Sequence, residues 1–256
     1  MRITSLLLSV VTALSAALFI FPSQAQLPSS SVTPPEKITS TPLIPAYRAT
    51  YTLLHKSDPV GTAIRELTYL ENNKVKYHYE TDISWLIFSD KRSETAIVSI
   101  DNNKVTPWQY DYEREGTGRD KRYQWQYNLT EKTALDLKKD KKITLDFTDG
   151  LFDKLSYHLQ NRLDLITNPE QKQFIYPVIS TSGSIKDYQY QYDDTETLTL
   201  PFGLVNTIRL KREVIEKKRI TYAWFAPELN YLLVKLYQIK DGEEQFEAQL
   251  LTLETK

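Results

Sequence analysis

Most of the chain beyond residue 46 alternates large apolar residues with polar ones at a spacing of two. Tyr188, Tyr190 and Tyr192, for example, alternate with Gln189 and Gln191. The same alternation recurs in segments around Tyr51, Tyr77, Tyr110, Trp125, Tyr222 and Phe246. Strict alternation gives a strand one buried and one solvated face, which is typical of antiparallel sheets. The pattern therefore predicts an all-β, mainly antiparallel fold.

Short turn signals separate these segments. They are Asp58-Pro59, Asn72-Asn73, Asn102-Asn103, residues 115–118 and Asp241-Gly242. Pairs of this kind favour the tight turns that join neighbouring antiparallel strands. Strands joined in this way follow one another as a meander.

One segment has a helical period instead. A leucine recurs every four residues from Leu151 to Leu163, and a proline at position 169 ends the pattern. The spacing predicts one amphipathic α-helix over about 150–166, with Thr148 or Asp149 as its N-cap. A single helix cannot cover the apolar faces of so many strands. We therefore expect a curled meander sheet, or a flattened, open barrel, with the helix against its open side.

The N-terminus predicts export. A positively charged start is followed by an apolar run from Leu6 to Phe21, which is shorter than the roughly 20 residues of a membrane-spanning helix. Small residues at Ser23 and Ala25 match a signal peptidase site. We expect a signal peptide over residues 1–25, cleaved after Ala25, and no permanent membrane span after cleavage. The expected location is the periplasm, with secretion as the alternative.

The composition changes after the apolar run. Residues 26–45 are rich in Pro, Ser and Thr and lack periodicity, which predicts a disordered tether. Residues 46–256 are then expected to form a single β-rich domain. The chain has no cysteine, which excludes disulfides, thiolate metal sites and a lipid-modified cysteine.

Several function classes have little support in the sequence. The net charge is −1, from 32 basic and 33 acidic residues, so no nucleic-acid partner is expected. The three histidines lack ligand spacing, and neither a phosphate-binding glycine loop nor a nucleophile motif is present. We therefore expect no metal, no cofactor and no catalytic residue that sequence alone can name. Carboxylates are plentiful, and whether two of them face each other across a cleft is left open.

Basic residues form three clusters. They are Arg119, Lys121 and Arg122; residues 138–142; and Lys217, Lys218 and Arg219. Acidic residues are interleaved with them, which is typical of an ordinary solvated surface. The clusters would suit a lipid headgroup or a polyanion if the fold brought them together.

Apolar runs provide the candidates for a binding site. Residues 85–88 and 223–227 break the alternation with large apolar side chains. One interpretation is the lining of a hydrophobic cavity in the curled sheet, and the other is a strand buried on both faces or a tip that plugs the barrel. The lining candidates are Trp85, Phe88, Trp108, Trp125 and Trp224, with Arg162 as a polar contact from the helix.

Several short motifs occur in a characteristic order. They are Tyr47-Arg-Ala-Thr-Tyr51, Val60-Gly61, Asp153-Lys-Leu-Ser-Tyr157, Pro201-Phe-Gly203 and Trp224-Phe-Ala-Pro227. Together they resemble the bacterial domain-of-unknown-function family 3108 across residues 46–254. The resemblance implies an exported protein of Gram-negative bacteria with a β-rich domain, and it implies no particular activity.

These observations leave three functional hypotheses. The leading one is a non-catalytic periplasmic domain that binds a hydrophobic or amphipathic ligand, such as a lipid, or an envelope protein. The second is an envelope hydrolase that acts on glycan or lipid through a pair of carboxylates. The third is a scaffold that recruits a protein by strand addition at a sheet edge.

Overall fold

The computed structural model describes residues 42–85 and 87–256, with the backbone alone at Trp85. The predicted signal peptide, most of the predicted tether and Leu86 lie outside the described residues. The described chain forms a single sheet of fourteen antiparallel strands and one α-helix. The predicted all-β, mainly antiparallel class is confirmed.

The elements follow the chain in two runs of strands with the helix between them. The first run is β1 Tyr47–His55, β2 Asp58–Tyr69, β3 Lys74–Trp85, β4 Phe88–Asp101, β5 Lys104–Gly116, β6 Lys121–Asn128, β7 Thr133–Asp136 and β8 Lys141–Thr144. The helix α1 covers Ser156–Thr167. The second run is β9 Gln173–Ile179, β10 Ile185–Leu200, β11 Gly203–Val214, β12 Arg219–Ala226, β13 Leu232–Lys240 and β14 Glu243–Thr255.

The sheet is two meanders joined at the middle. Strands β1 to β8 lie side by side in chain order, and β9 to β14 do the same on the other side. The last strand, β14, pairs with the first, β1, from Tyr47 opposite Thr255 to Leu54 opposite Glu247. The sheet therefore ends at β8 on one side and at β9 on the other, and these two strands do not pair to close a barrel.

The helix lies in the hollow of the curled sheet. Gln160 accepts a hydrogen bond from the backbone N–H of Val105 in β5 at 2.7 Å, and Asn161 donates to the Tyr176 hydroxyl in β9 at 3.0 Å. Since β5 and β9 are far apart in the strand order, one helix can reach both only if the sheet curls around it. Among the described residues, no helix is both long and apolar enough to span a membrane.

The helix begins later than the leucine pattern predicts. Its first turn is capped by Asp153, whose Oδ1 accepts hydrogen bonds from the backbone N–H groups of Leu155 and Ser156. The predicted caps, Thr148 and Asp149, were therefore wrong. Asp149 forms an exposed ion pair with Lys104 at 2.6 Å instead.

The Asn-Asn and Asp-Gly turn signals are confirmed in place. Asn72, Asn73, Asn102 and Asn103 all have positive φ angles, between 49° and 63°. Asparagine tolerates this left-handed conformation better than most residues, which is why it suits tight hairpins. The Asp58-Pro59 signal is displaced, because the turn is at Lys56 and Ser57 and Asp58 already belongs to β2.

A β-bulge changes the predicted face of one tryptophan. The register between β4 and β5 shifts so that Val98 lies opposite Pro107 and Ile97 lies opposite Gln109, which leaves Trp108 as the extra residue. Simple alternation places Trp108 on the same face as Tyr110. The bulge instead leaves Trp108 exposed while Tyr110 is buried.

Candidate functional site

A cavity of about 200 Å³ lies inside the curl, beside the N-terminal turn of α1. Its walls come from both meanders and from the helix. The residues that line it are Tyr51, Ala63, Arg65, Tyr79, Glu94, Lys154, Leu155, Tyr157, His158, Tyr190, Arg212, Thr221, Leu233, Leu236, Gln238, Phe246 and Ala248. Part of this lining is apolar, and part is tyrosine and charged side chains.

Arg65 is the most unusual residue of this lining. Its side chain projects inward from β2 and is only 6% exposed. The guanidinium lies over the rings of Tyr77 and Tyr79, at 5.8 and 5.1 Å from their centroids. Its Nε atom has no hydrogen-bond partner, and Arg65 forms no ion pair with any described residue. The buried guanidinium therefore has no direct ion pair among the described residues, and the nearest carboxylate of the lining, Glu94, acts on it only through space.

Two further cations face the same space. Arg212 on β11 lies over the ring of Tyr188 at 3.8 Å from its centroid, and Lys154 reaches the cavity from the turn before the helix. Neither forms an ion pair within the described part of the chain. The cavity is therefore lined by three positively charged side chains.

Glu94 is the one carboxylate among the lining residues. Burial raises the pKa of its carboxyl above the usual range, and the hydrogen bond from the Tyr110 hydroxyl at 2.6 Å opposes that rise. Positive charge in the cavity therefore exceeds negative charge.

His158 also lines the cavity, although its sequence position predicts an ordinary surface or rim histidine. Its ring packs against Tyr157 with the centroids 4.0 Å apart. Burial lowers the pKa of His158 well below its ordinary value, and the positive charges of Arg65 and Arg212 lower it further. The imidazole is thus neutral at neutral pH and offers one hydrogen-bond donor and one acceptor.

The cavity lining contains no pair of carboxylates. A glycosidase needs two carboxylates that face each other across the scissile bond, and Glu94 has no such partner in the cavity lining. In the described chain, no group of three or more His, Cys, Asp or Glu side chains could hold a metal ion.

The sequence model of the family described as "Protein of unknown function (DUF3108)" matches residues 46–249. The chain belongs to this family. The predicted resemblance is confirmed over nearly the whole of the folded region. No curated protein sequence matches this DUF3108 chain.

Comparison with solved structures finds proteins of low sequence identity that are similar to this DUF3108 domain. A beta-barrel-like protein of domain of unknown function DUF1849 from Brucella abortus has a TM-score of 0.52 at 10% identity, covering 83% of this chain and 98% of that one. A protein described as exported, with a YmcC-like fold, from Bacteroides fragilis has a TM-score of 0.33 at 9% identity, with 82% and 95% covered. At 10% identity the likeness to the Brucella abortus protein shows a common fold alone.

The predicted lining residues are dispersed over the DUF3108 domain. Trp125 is buried in the core, and Trp224 is buried on the outer face, where its Nε1 donates to Glu196 at 2.7 Å. Trp108 and Phe88 are exposed. None of these four residues lines the interior cavity, and the side chain of Trp85 lies outside the described residues.

The side chain of Arg162 connects two parts of the fold. Its Nε donates to the backbone oxygen of Asn230 at 2.7 Å, and an Nη atom donates to that of Leu229 at 3.1 Å. The guanidinium also lies 4.9 Å from the ring centroid of Tyr47. Arg162 joins the helix to the β12–β13 turn and does not line the cavity.

The residues that do line the cavity left a signal in the sequence. Arg65 occupies an inward position between Ala63 and Leu67, and all three are buried. Arg212 similarly follows the buried Leu210 by two residues. A charged residue at a core position of an alternating strand is unusual, and this departure could have identified both arginines.

The sheet edges bear on the scaffold hypothesis. The outer edge of β9 is partly covered, because Phe152 exchanges backbone hydrogen bonds with Pro177 and Ile179. Strand β8 is four residues long and carries Lys141 and Lys142. Strand addition is unfavourable at a short edge strand that carries lysines, and at an edge that another segment of the chain covers.

Proposed function

We propose that this DUF3108 domain is a non-catalytic periplasmic binding protein that takes a small anionic, amphipathic molecule into its interior cavity. The observation that carries the proposal is the buried Arg65 guanidinium, which lines the cavity without a direct ion pair to any described residue. A buried charge without a partner costs several kcal/mol relative to a paired one. An anionic ligand would supply the missing partner.

The remaining lining supports the same class of ligand. Arg212 and Lys154 add positive charge around the same space, while tyrosine hydroxyls offer hydrogen bonds. Leu233, Leu236 and Phe246 form an apolar wall for the rest of the molecule. The combination of charged and apolar walls favours a carboxylate or phosphate with a short apolar tail over a purely hydrophobic ligand.

The size of the cavity limits the ligand. An apolar cavity of about 150 Å³ holds one benzene, and by that ratio the 200 Å³ here holds roughly eight non-hydrogen atoms. Whole phospholipid chains exceed that volume. We therefore infer a small molecule, or one end of a larger one, as the occupant.

The location in the periplasm rests on residues 1–25, whose charged start, apolar run and small residues match a signal peptide. If the protein is exported as proposed, intact-mass measurement of the periplasmic protein will give the mass of the chain that begins at Gln26. The full-length mass would contradict the proposed cleavage.

Binding can be tested with a matched pair of probes. Hexanoate has eight non-hydrogen atoms and a negative charge, and 1-hexanol has nearly the same shape without the charge. We expect isothermal titration calorimetry to show binding of hexanoate and binding of 1-hexanol at least about tenfold weaker, as loss of a buried charge-assisted contact implies. The anion site would be refuted if the two probes bound with equal affinity, or if neither probe bound.

Variants connect the binding to the cavity. Arg65→Met should remove hexanoate binding, whereas Arg48→Met, in the neighbouring strand but paired with Glu66 at the surface, should leave it unchanged. Circular dichroism confirms that each variant is folded. If Arg65→Met does not fold, Arg212→Met is the second variant. Full hexanoate affinity in a folded cavity variant would show that the anion binds elsewhere.

A further inference from the structure

Seven hairpin connections lie at the same end of the sheet, which we call the tip end. They join β1–β2, β3–β4, β5–β6, β7–β8, β9–β10, β11–β12 and β13–β14, since neighbouring strands are antiparallel throughout. The helix occupies the opposite half of the hollow, where Gln160 and Arg162 bond to Asn103 and Asn230 in turns of the other end. The cavity, beside the first turn of the helix, therefore faces the tip end.

Large apolar side chains are exposed at these tips. Ile87 and Phe88 at the β3–β4 tip are 87% and 55% exposed, and Ile215 at the β11–β12 tip is 78% exposed. Leu137 at the β7–β8 tip is 43% exposed. The β3–β4 and β11–β12 tips lie on opposite sides of the central β1–β14 pair. Adjacent exposed apolar side chains, such as Ile87 and Phe88, are typical of surfaces that contact a protein or a membrane.

The three basic clusters seen in the sequence all lie at the tip end as well. The β7–β8 tip, residues 137–142, has four lysines and one aspartate. The β5–β6 tip, 115–122, and the β11–β12 tip, 213–219, each have three cations and two acids. Lys138, Lys141 and Lys217 form no ion pair with a described residue. The fold thus gathers clusters that are far apart along the chain.

The opposite end differs in charge. It also exposes apolar side chains, among them Leu204, which is 73% exposed. Its turns carry no excess of cations: the β2–β3 connection, 69–74, has one glutamate and one lysine. At the tip end, the β13–β14 connection is acidic, with Asp241, Glu243 and Glu244. The cations are therefore concentrated in the three basic tips.

We propose that the tip end docks on an anionic phospholipid surface. Ile87, Phe88 and Ile215 would enter the headgroup region, and the basic tips would contact lipid phosphates. Large apolar residues beside lysine and arginine are the combination that holds a protein at a membrane interface. This docking goes beyond the proposed anion binding, because a cavity can also serve a ligand that diffuses freely. It would place the cavity next to a membrane that contains anionic amphiphiles.

The electrostatic contribution of each cation to membrane binding has a typical magnitude. A lysine or arginine near an anionic bilayer increases binding about fivefold at physiological ionic strength, and the attraction decays within a Debye length. Several cations acting together are therefore needed for stable docking. The apolar tips add a contribution that salt does not screen.

Vesicle flotation tests the proposal, with protein purified from the periplasm after export. The vesicles are phosphatidylcholine alone and phosphatidylcholine with three-tenths phosphatidylglycerol. We expect the protein to float with the anionic vesicles at low salt, to bind phosphatidylcholine at least about tenfold more weakly, and to lose part of its binding in high salt. Absence of flotation with anionic vesicles at low salt would overturn the proposal.

Matched variants identify the surface. The triple change Ile87→Ser, Phe88→Ser and Ile215→Ser should lower the partition coefficient at least about tenfold, whereas Leu204→Ser at the other end should leave it unchanged. Lys138→Gln, Lys141→Gln and Lys217→Gln together should lower it by about fivefold per cation. Lys76→Gln, which changes an exposed lysine near the start of β3 and so at the opposite end of the sheet, is the charge control.

The remaining outcomes are also decisive. If Leu204→Ser or Lys76→Gln lowers flotation as much as the tip variants do, the tip end is not the docking surface. If the tip variants keep full vesicle binding but lose a co-purifying envelope protein, the tip end binds protein and the proposal is wrong. Since hexanoate titration is measured without membranes, a failure of docking is distinct from a failure of the cavity.

Discussion

Asp153 and Ser156 exchange hydrogen bonds across the first turn of α1. The backbone N–H of Ser156 donates to Oδ1 of Asp153 at 2.7 Å, and the backbone N–H of Asp153 donates to Oγ of Ser156 at 2.9 Å. This reciprocal arrangement resembles a capping box, which satisfies backbone donors that a helix start leaves free. Here the cap is buried, and the second carboxylate oxygen, Oδ2, has no partner.

The first prediction concerns this buried carboxyl. Burial raises the pKa of Asp153 to about 6, above the value of about 3.9 for an unfolded aspartate. The folded state therefore holds the proton more tightly, and the associated stability is full below about pH 4 and lost as the pH rises through 6. Asp153→Asn stays neutral and keeps an oxygen acceptor, so it should gain stability over the wild type as the pH rises from 4 to 7.

Urea unfolding at several pH values measures this difference. Asp149→Asn, which changes an exposed carboxyl near the same helix, is the control and should show no such gain. A difference between Asp153→Asn and the wild type that is independent of pH would contradict the assigned ionisation.

The second prediction concerns Glu94, the carboxylate that lines the cavity. Glu94→Gln removes a negative charge and retains an acceptor for the Tyr110 hydroxyl. Hexanoate affinity should rise about fivefold, in line with the removal of one repulsive charge at close range. Since burial raises the pKa of Glu94, lowering the pH should narrow the difference in hexanoate affinity between the wild type and the variant.

Calorimetric titration checks the second prediction, with Glu66→Gln as the control because Glu66 pairs with Arg48 at the surface. An unchanged or reduced affinity in Glu94→Gln would show that Glu94 does not face the bound anion.

The third prediction concerns the close approach of β2 and β3 at Gly61. A Cβ atom at this position would lie 2.1 Å from the backbone oxygen of Asp82 and 2.9 Å from the Cα of Ile83. Because backbone cannot move aside cheaply, Gly61→Ala should lower the free energy of unfolding by about 2–3 kcal/mol. Thr62→Ala, at the exposed neighbouring position, should change it by less than about 0.5 kcal/mol. Chemical denaturation measures the free energy of unfolding of both variants. If Gly61→Ala is as stable as Thr62→Ala, the close approach of the β3 backbone to position 61 is disproved.

The fourth prediction separates a structural role of Arg162 from ligand contact. Its guanidinium bonds two backbone oxygens, of Asn230 and Leu229, in a geometry that lysine cannot reproduce. Arg162→Lys should therefore destabilise the fold by about 1–3 kcal/mol and leave hexanoate affinity unchanged. A loss of affinity at unchanged stability would support the sequence-based prediction that Arg162 contacts the ligand.

The sequence was informative where local rules decide the structure. Alternation around Tyr51 and Tyr77 correctly predicted antiparallel strands with buried tyrosines, and Asn72-Asn73 correctly predicted a tight turn. It was less informative at Trp108, because a bulge depends on how two strands pair and not on the composition of either. The helix start was displaced because Asp153, hidden within the leucine pattern, provides the cap.

The candidate site was harder to predict, for a related reason. Tryptophans are natural candidates for a binding site, but Trp125 is buried in the core and Trp224 is buried on the outer face. The charged part of the cavity lining comes from other residues, such as Arg65 and Arg212, at inward positions of ordinary strands. Each of them departs from the apolar pattern on its own strand, but only their convergence makes a site.

The sequence by itself therefore determined the fold class, the single helix, several of the turns and the family. These depend on residues close together in the chain, where propensity and periodicity act. Only the tertiary structure decided that β14 pairs with β1, that the sheet curls around the helix, and that the three basic clusters share one end. Alternation shows which face of a strand is buried, but how far a sheet curls depends on packing between strands that are distant in sequence.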